Sequence, residues 1–192
     1  MLEPILVDMD GVICDFVDGF YEKAKLSRYN LLRKVLPDPE KITTFYIEDS
    51  IPPEHLTDEI KNLADDLVNE VGLFFSLKPI ENAIEGVSKL EEYTGRKIFF
   101  VSAPHPSNTF SYTEKAMWID RYFGKEWLNR LILTRDKTII NGVILIDDKP
   151  NPMGIYTPTW EHVVFDQNYN QNDPFCKGKR RLFSWKEDQI RS

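Results

Sequence analysis

Asp8 and Asp10 stand two residues apart, with Gly11 next, directly after the apolar run Ile5-Leu6-Val7. A second carboxylate pair, Asp147-Asp148, closes another apolar run, Val143-Ile144-Leu145-Ile146. Short apolar runs of this kind read as buried strands, so both pairs fall at strand ends. Alternation along an extended chain sends the side chains of Asp8 and Asp10 the same way, off the carboxyl edge. That edge is where open α/β sheets bind ligands. Four carboxylates at two adjacent strand ends repel strongly unless a cation sits between them. An all-oxygen donor set suits a hard ion, Mg²⁺ in particular where phosphate is the substrate. An Asp ending a strand is also an ordinary turn former, so the informative feature is the coincidence of both pairs.

Groups suited to a phosphate lie between the pairs. Ser102 follows a third apolar stretch, Arg96 to Val101, and its hydroxyl can serve phosphate oxygens together with nearby backbone N–H groups. Lys115 falls early in a helix, close to its positive end, a favourable place to meet an anion. Lys137, within Thr134-Arg135-Asp136-Lys137-Thr138, is a second candidate cation.

The elements that must position these residues alternate between strand and helix. Strands are expected over Pro4 to Asp8, Arg96 to Val101, Leu131 to Leu133, Val143 to Ile146 and Val163 to Phe165. Ile80, Ala83, Ile84, Val87 and Leu90 recur at helical spacing, and Thr94-Gly95 ends that helix. Ser111-Tyr112-Thr113-Glu114 has capping-box spacing and opens another, with Ala116, Ile119, Tyr122 and Phe123 on one face. The pattern predicts an α/β fold with a parallel sheet covered on both faces. A βαβ unit takes about 30 residues, yet Asp10 and Ser102 are 92 positions apart. Residues 15–78 are therefore read as an insertion after the first strand, with helices over Tyr21 to Leu36 and Glu54 to Val71.

Composition narrows the class. The 192 residues carry a net charge of −7, with 42% hydrophobic and 12% aromatic residues, enough for one packed core with a small insert. No apolar run approaches the roughly 20 residues of a spanning helix, and strand-like sequence starts almost at Met1, so neither a membrane span nor a targeting peptide is expected. Two cysteines, Cys14 and Cys176, fit a reducing compartment, and a cytoplasmic location is expected. Acidic residues concentrate between Asp38 and Glu92, where 14 Asp and Glu face 4 Lys. Such a chain matches duplex nucleic acid poorly, and the basic run Lys177 to Arg181 reads as solvated surface. Cys14, Trp118 and Trp160 read as packing residues, His105 as surface loop, and His162 as a residue beside the last strand without chemistry.

The order of these motifs (DxD, then Ser, then Lys, then an Asp pair) resembles the haloacid dehalogenase superfamily of phosphohydrolases. LVDMDGVICDF, FFSLKP, YTEKAMWIDRYFG, LTRDKT, LIDDKP, TPTWEHVVF and KRRLFSW further resemble the 5′(3′)-deoxyribonucleotidases, over nearly the whole chain. The resemblance implies a Rossmann-like core of residues 1–14 and 79–192, a helical cap of residues 15–78, and Mg²⁺-dependent dephosphorylation of deoxyribonucleoside monophosphates. It implies Asp8 as nucleophile, Asp10 as proton carrier, and Asp8, the Asp10 carbonyl, Asp147 and Asp148 around the metal, with Asp148 favoured over Asp147 as the direct ligand. Ser102, Lys115 and Lys137 then bind phosphate, and Phe16, Phe45, Tyr46 and Phe74 build an aromatic pocket for the base. Tyr46 stands where the family leads us to expect Trp, and Pro106 where relatives can carry a basic residue. Alternatives are a phosphatase for another small phosphomonoester and a catalytically silent nucleotide-binding module. A membrane or nucleic-acid partner is not expected, and a homodimer is left open.

Overall fold

A computed structural model describes residues 2–191. Six strands, β1 (Ile5–Val7), β2 (Ile98–Ser102), β3 (Leu131–Leu133), β4 (Ile144–Asp147), β5 (Glu161–Phe165) and β6 (Arg181–Leu182), form one sheet in the order β3-β2-β1-β4-β5-β6. All neighbouring pairs are parallel. Strand β1 is central, with Ile5 in register with both Ile98 and Ile144. The chain leaves β1 toward β2 on one side and reaches β4 on the other, so a crevice opens at the carboxyl end of β1.

The seven α-helices among the described residues are α1 (Phe16–Ala24), α2 (Asn30–Val35), α3 (Asp58–Val68), α4 (Leu73–Ser76), α5 (Ala83–Thr94), α6 (Phe110–Phe123) and α7 (Glu187–Ile190). The larger core joins one face of the sheet (Ile5, Val7, Ile98, Phe100, Ile146, Val163, Phe165) to residues of α1, α3, α4, α5 and α6. The other face is thinner than expected from the alternation of strands and helices. Its core is Leu6, Val101, Leu145 and Trp160, backed by Phe99, Ile132 and Ile140, none of them in an α-helix. The reason is that residues 134–143 and 148–160 link β3 to β4 and β4 to β5 with short turns instead of α-helices. Residues 134–143 lie close against the sheet: a Cβ on Gly142 would approach Leu6 to 2.8 Å. This segment carries Lys137.

The insertion starts and ends at one place. Asp15 N–H donates to the Lys78 carbonyl (2.8 Å) and Ile80 N–H to the Ile13 carbonyl (2.9 Å). Asp15 caps α1 by accepting from Asp18 N–H at 2.9 Å, which starts the helix five residues ahead of Tyr21. The expected Tyr21 to Leu36 helix is broken at Leu26, whose backbone is extended. No Gly or Pro marks this break. A tertiary contact accompanies it: the turn buries Tyr29, whose hydroxyl donates to Glu70 beyond the end of α3. Thr57 caps α3, accepting from Ile60 N–H at 3.3 Å, so the helix is shorter than the expected Glu54 to Val71. The capping box at Ser111 to Glu114 does not form. Helix α6 begins at Phe110, Asn108 Oδ1 accepts from Ser111 N–H (3.2 Å), and Glu114 turns away from the helix start.

Strand β6 and the segment after it were not foreseen. Trp185 is 1% exposed and donates to the Val12 carbonyl at 2.7 Å, pinning the C-terminal segment beneath the turn after β1. Alanine in a helix interior usually improves on glycine by about 1 kcal/mol. At Gly86 in α5, however, a Cβ would lie 2.8 Å from the Trp185 carbonyl and 2.9 Å from its ring. Gly86→Ala is therefore expected to lower the thermal midpoint, by overpacking worth about 1–3 kcal/mol. Differential scanning calorimetry checks the sign: an unchanged or raised midpoint would show that Trp185 is not held there.

Candidate active site

The site is assembled from five places in the sequence that meet at the carboxyl ends of β1, β2 and β4. Asp8, Asp147 and Asp148 each bring a carboxylate oxygen within 4.8 Å of the others, and all three are buried. Asp10 does not join them. Strand β1 ends at Val7, the chain turns through Gly11 at φ +73°, and the alternation that would align Asp8 with Asp10 is lost. Asp10 instead accepts from Lys115 Nζ (2.5 Å) and from the Cys14 thiol (3.4 Å).

A cation is already present among the three carboxylates. Lys137 Nζ, buried, lies 2.6 Å from Asp147 Oδ2 and 2.9 Å from Asp8 Oδ1. Four carboxylates thus do not face one another bare, as the sequence suggested, because one turns to Lys115 and two share Lys137. Negative charge is still in excess. Burial and the neighbouring Asp147 hold the Asp8 carboxyl above its ordinary pKa even though Lys137 and Lys115 oppose them. Asp148 is pushed further up, by burial and then by Asp147 and Asp8. Burial alone would depress Lys137, but Asp147 and Asp8 more than offset it, and its ammonium is held above the usual lysine range.

The Asp pair is held from behind. Lys149 N–H donates to Asp147 Oδ1 (2.8 Å), and the Tyr169 hydroxyl donates to Asp148 Oδ2. Asn170 Nδ2 bonds the carbonyls of Asp148 and Phe165, both at 2.8 Å. Gly11 must lack a side chain here, since a Cβ would lie 2.5 Å from Asp148 Oδ2 and 2.6 Å from the Tyr169 hydroxyl. His162 is buried against the Asp147 carbonyl (3.2 Å), with Lys179 Nζ on its other ring nitrogen at 2.9 Å. Burial and Lys179 bring the His162 pKa to about 4, so the ring is neutral near pH 7. Lys179 and Arg181 are therefore structural, Arg181 pairing with Asp166 at 2.5 Å, which corrects the reading of the whole basic run as solvated surface.

With these partners in place, Asp148 Oδ1 is buried and has no hydrogen-bond partner; Asp8 Oδ1 has only the ion pair with Lys137, without hydrogen-bond alignment. Buried carboxylate oxygens left open beside two further carboxylates fit a hard divalent cation. Asp8, Asp147 and Asp148 are the side chains able to hold it.

On the other side of Asp8, Lys115 Nζ donates to Ser102 Oγ (3.1 Å) as well as to Asp10. Both Lys115 and Ser102 are at most 1% exposed. The Cys14 thiol is held well above its ordinary pKa, first by burial and then by Asp10, so it stays protonated and inert. The four aromatic residues singled out in the insertion form two groups. Phe16 stacks on Phe74 (centroids 6.0 Å, 27°), and Lys115 Nζ lies 4.8 Å from the centre of the Phe74 ring. Phe45 meets Tyr46 (5.2 Å) and Tyr169 (6.1 Å) edge-on, with Lys149 Nζ 5.5 Å away. Tyr46 is 55% exposed, whereas Phe74 is 3% exposed and serves mainly as a backing for Phe16.

Tyr169, Asn170 and Glu114 were missed in the sequence. The first two lie in a single 3-10 turn, Asn168–Asn170, within a polar stretch too short to show periodicity, and Glu114 carried a signal that pointed to a different partner.

The fold is that of the haloacid dehalogenase-like hydrolases. The chain aligns with a solved structure from Burkholderia xenovorans described as a haloacid dehalogenase-like hydrolase, with a TM-score of 0.52 and 11% identity, covering 100% of this chain and 96% of that one. Its sequence matches the family described as 5′ nucleotidase, deoxy (pyrimidine), cytosolic type C protein over residues 2–191, and the protein belongs to that family. It is 33% identical over 190 residues to the human mitochondrial 5′(3′)-deoxyribonucleotidase, covering 96% of this chain and 79% of the relative. The human cytosolic-type 5′(3′)-deoxyribonucleotidase is 30% identical over 188 residues, covering 96% and 90%.

If Lys137 compensates the carboxylates, Lys137→Met leaves a buried excess of negative charge. Breaking such a pair costs about 3–5 kcal/mol. The thermal midpoint of the variant is expected to fall sharply in EDTA and to recover substantially with millimolar Mg²⁺, more than the wild type gains. Equal gains in both proteins would mean that Lys137 does not hold the carboxylates together.

Proposed function

We propose that this protein is a Mg²⁺-dependent phosphomonoesterase for deoxyribonucleoside monophosphates, working through an aspartyl-phosphate on Asp8. The observation that carries the reading is the open, buried Asp148 Oδ1 facing Asp8 and Asp147, next to the Lys115–Ser102 pair. Asp8, Asp147 and Asp148, with the Asp10 carbonyl, are the groups to hold Mg²⁺. Bound there, the ion would neutralise charge on the phosphoryl oxygens.

The chain's own residues then divide the work. Asp8 attacks phosphorus, its carboxylate oxygen forming the new P–O bond as the bond to the nucleoside oxygen breaks. Asp10, held by Lys115, gives its proton to that leaving oxygen. Water next attacks the aspartyl-phosphate, Asp10 takes the proton back, and Asp8 is freed with inorganic phosphate. Ser102 and Lys115 hold the transferring group, and Lys137 keeps Asp8 oriented while reaching toward the same oxygens.

In this reading residues 15–78 act as a cap over a core of 1–14 and 79–192 and select the leaving group. All four aromatic residues come from this segment, and Phe74 and Phe45 each touch a residue of the core site, Lys115 and Tyr169. The names of the relatives support a deoxyribonucleotide as substrate. Phe16 and the exposed Tyr46 offer the free ring surface for a base, with Phe45 and Phe74 behind them. A cytoplasmic setting fits the two free, buried cysteines. Among the described residues no helix is long and apolar enough to cross a membrane.

Three measurements test the proposal. Asp8→Asn should fold as the wild type does and lose turnover by more than about 10³-fold, the scale of losing a nucleophile; a loss within tenfold would exclude the covalent route. EDTA should abolish hydrolysis and Mg²⁺ restore it, while Ca²⁺, which takes ligands at about 2.3–2.6 Å, should do so poorly. Phe16→Ala, losing one stacking contact of about 1–3 kcal/mol, should cut kcat/KM for a deoxynucleotide roughly 5- to 150-fold. Deoxyribose 5-phosphate, which lacks the base, should be nearly unaffected. Equal losses would favour a phosphatase for another small phosphomonoester.

A further inference from the structure

Glu114 is a buried carboxylate that the hydrolytic steps do not use. It is 5% exposed, and among the described residues no lysine, arginine or histidine pairs with it. Its partners are backbone N–H groups of the insertion's returning limb. Oε1 accepts from Gly72 at 2.5 Å, and Oε2 accepts from Phe74 at 3.0 Å and Phe75 at 3.3 Å. These N–H groups lie at the start of α4, where a helix supplies no internal partner. Gly72, at φ +85°, makes the turn that presents them.

The adjacent residue reaches the same segment in another way. Lys115 lies 4.8 Å from the centre of the Phe74 ring while bonding Ser102 and Asp10. One turn on, Trp118 Nε1 donates to the Leu77 carbonyl at 2.8 Å. Three residues of α6 thus fix residues 72–77, and the residue that contacts the Phe74 ring is also the residue that contacts the phosphate side.

We infer that Glu114 is a specificity-positioning residue: by clamping the backbone at Phe74, it sets the separation between the Phe16–Phe74 aromatic wall and the Ser102–Lys115 phosphate site. This rests on the nucleotidase reading above. A substrate carrying a base must satisfy both places at once, whereas one without a base needs only the second. Loosening the clamp should therefore cost the first far more than the second. Displacements of about 1 Å in such a relay can cost up to about 100-fold.

The test compares kcat/KM for a deoxyribonucleoside monophosphate and for deoxyribose 5-phosphate in the wild type and in Glu114→Gln. The amide keeps the shape but turns an NH₂ group toward backbone donors. The nucleotide is expected to lose about 10- to 100-fold and the base-free substrate less than about threefold. Glu114→Asp, with the charge kept on a shorter stem, should show the same split at smaller amplitude. Equal losses on both substrates would overturn the inference, placing the effect of Glu114 on Lys115 or on folding. A wild type that does not distinguish the two substrates would overturn the nucleotidase reading itself, and the positioning role with it. Hydrogen exchange on the wild type needs no variant: the Gly72, Phe74 and Phe75 amides should be protected although they open a helix. Free-chain exchange at all three would also overturn the inference.

Discussion

Three buried carboxylates meet one ammonium, which pairs with two of them, at the carboxyl ends of β1 and β4, and the surrounding structure follows from that imbalance. Burying a charge costs several kcal/mol unless it is paired and hydrogen-bonded. Each negative group therefore has a specific partner. Lys137 is brought to Asp8 and Asp147 by the segment that crosses the sheet's second face with a 3-10 turn (Lys137–Ile139) instead of an α-helix. Asp147 receives the Lys149 N–H, Asp148 receives Tyr169, and Asp10 is drawn aside to Lys115. Asp148 Oδ1, buried with neither a hydrogen bond nor an ion pair, is where the compensation stops short.

The same demand explains why the insertion sits where it does. Lys115 is almost completely buried, and its Nζ is shared among Asp10, Ser102 and the face of Phe74. An aromatic face over a desolvated ammonium is worth about 2 kcal/mol. Phe74 comes from the insertion, so the returning limb contributes to the electrostatics of the core. Its backbone is tied to α6 at Glu114 and Trp118, and residues 78–80 are tied to 13–15. Both crossings are thus bonded to each other and one is bonded to α6, whereas in the far part of the insertion, residues 27–57, turns replace long helices. Phe45 and Tyr46 lie in that part and Phe16 does not.

Much of this was legible in the sequence, for a physical reason. Parallel strands buried on both faces leave continuous apolar runs, and the residues that terminate them must lie at one edge. Hence Asp8, Ser102 and the Asp147-Asp148 pair could be placed, and Lys115 with them. Reading failed where side-chain direction depends on the third dimension. Asp10 follows Asp8 at strand spacing, but β1 has already ended and Gly11 turns the chain. The pairing of Lys137 with Asp8 and Asp147 was not legible either, because nothing in its neighbourhood reveals two carboxylates 129 and 10 positions away. Glu114 had capping-box spacing, yet the N–H groups it serves are about 40 residues back. Tyr169 sits in a single 3-10 turn flanked by polar residues, and β6, at two residues, is too short to leave a pattern.

The distribution of charge bears on how an anionic substrate could be held at all. The chain is acidic, and residues 38–92 are more so than the rest, so long-range attraction of a phosphate dianion is absent. Within the site the four carboxyl groups of Asp8, Asp10, Asp147 and Asp148 outnumber the two amino groups of Lys115 and Lys137. Hydrogen bonds from Ser102 and backbone N–H groups lower the cost of an anion without changing that balance. A divalent cation among the three carboxylates does change it, and at short range, where a low local dielectric makes each charge count most. Under the proposed function, discrimination then falls to contacts that carry no charge, which the aromatic rings of the insertion would supply at a distance from the phosphate set by the proposed backbone clamp of α6.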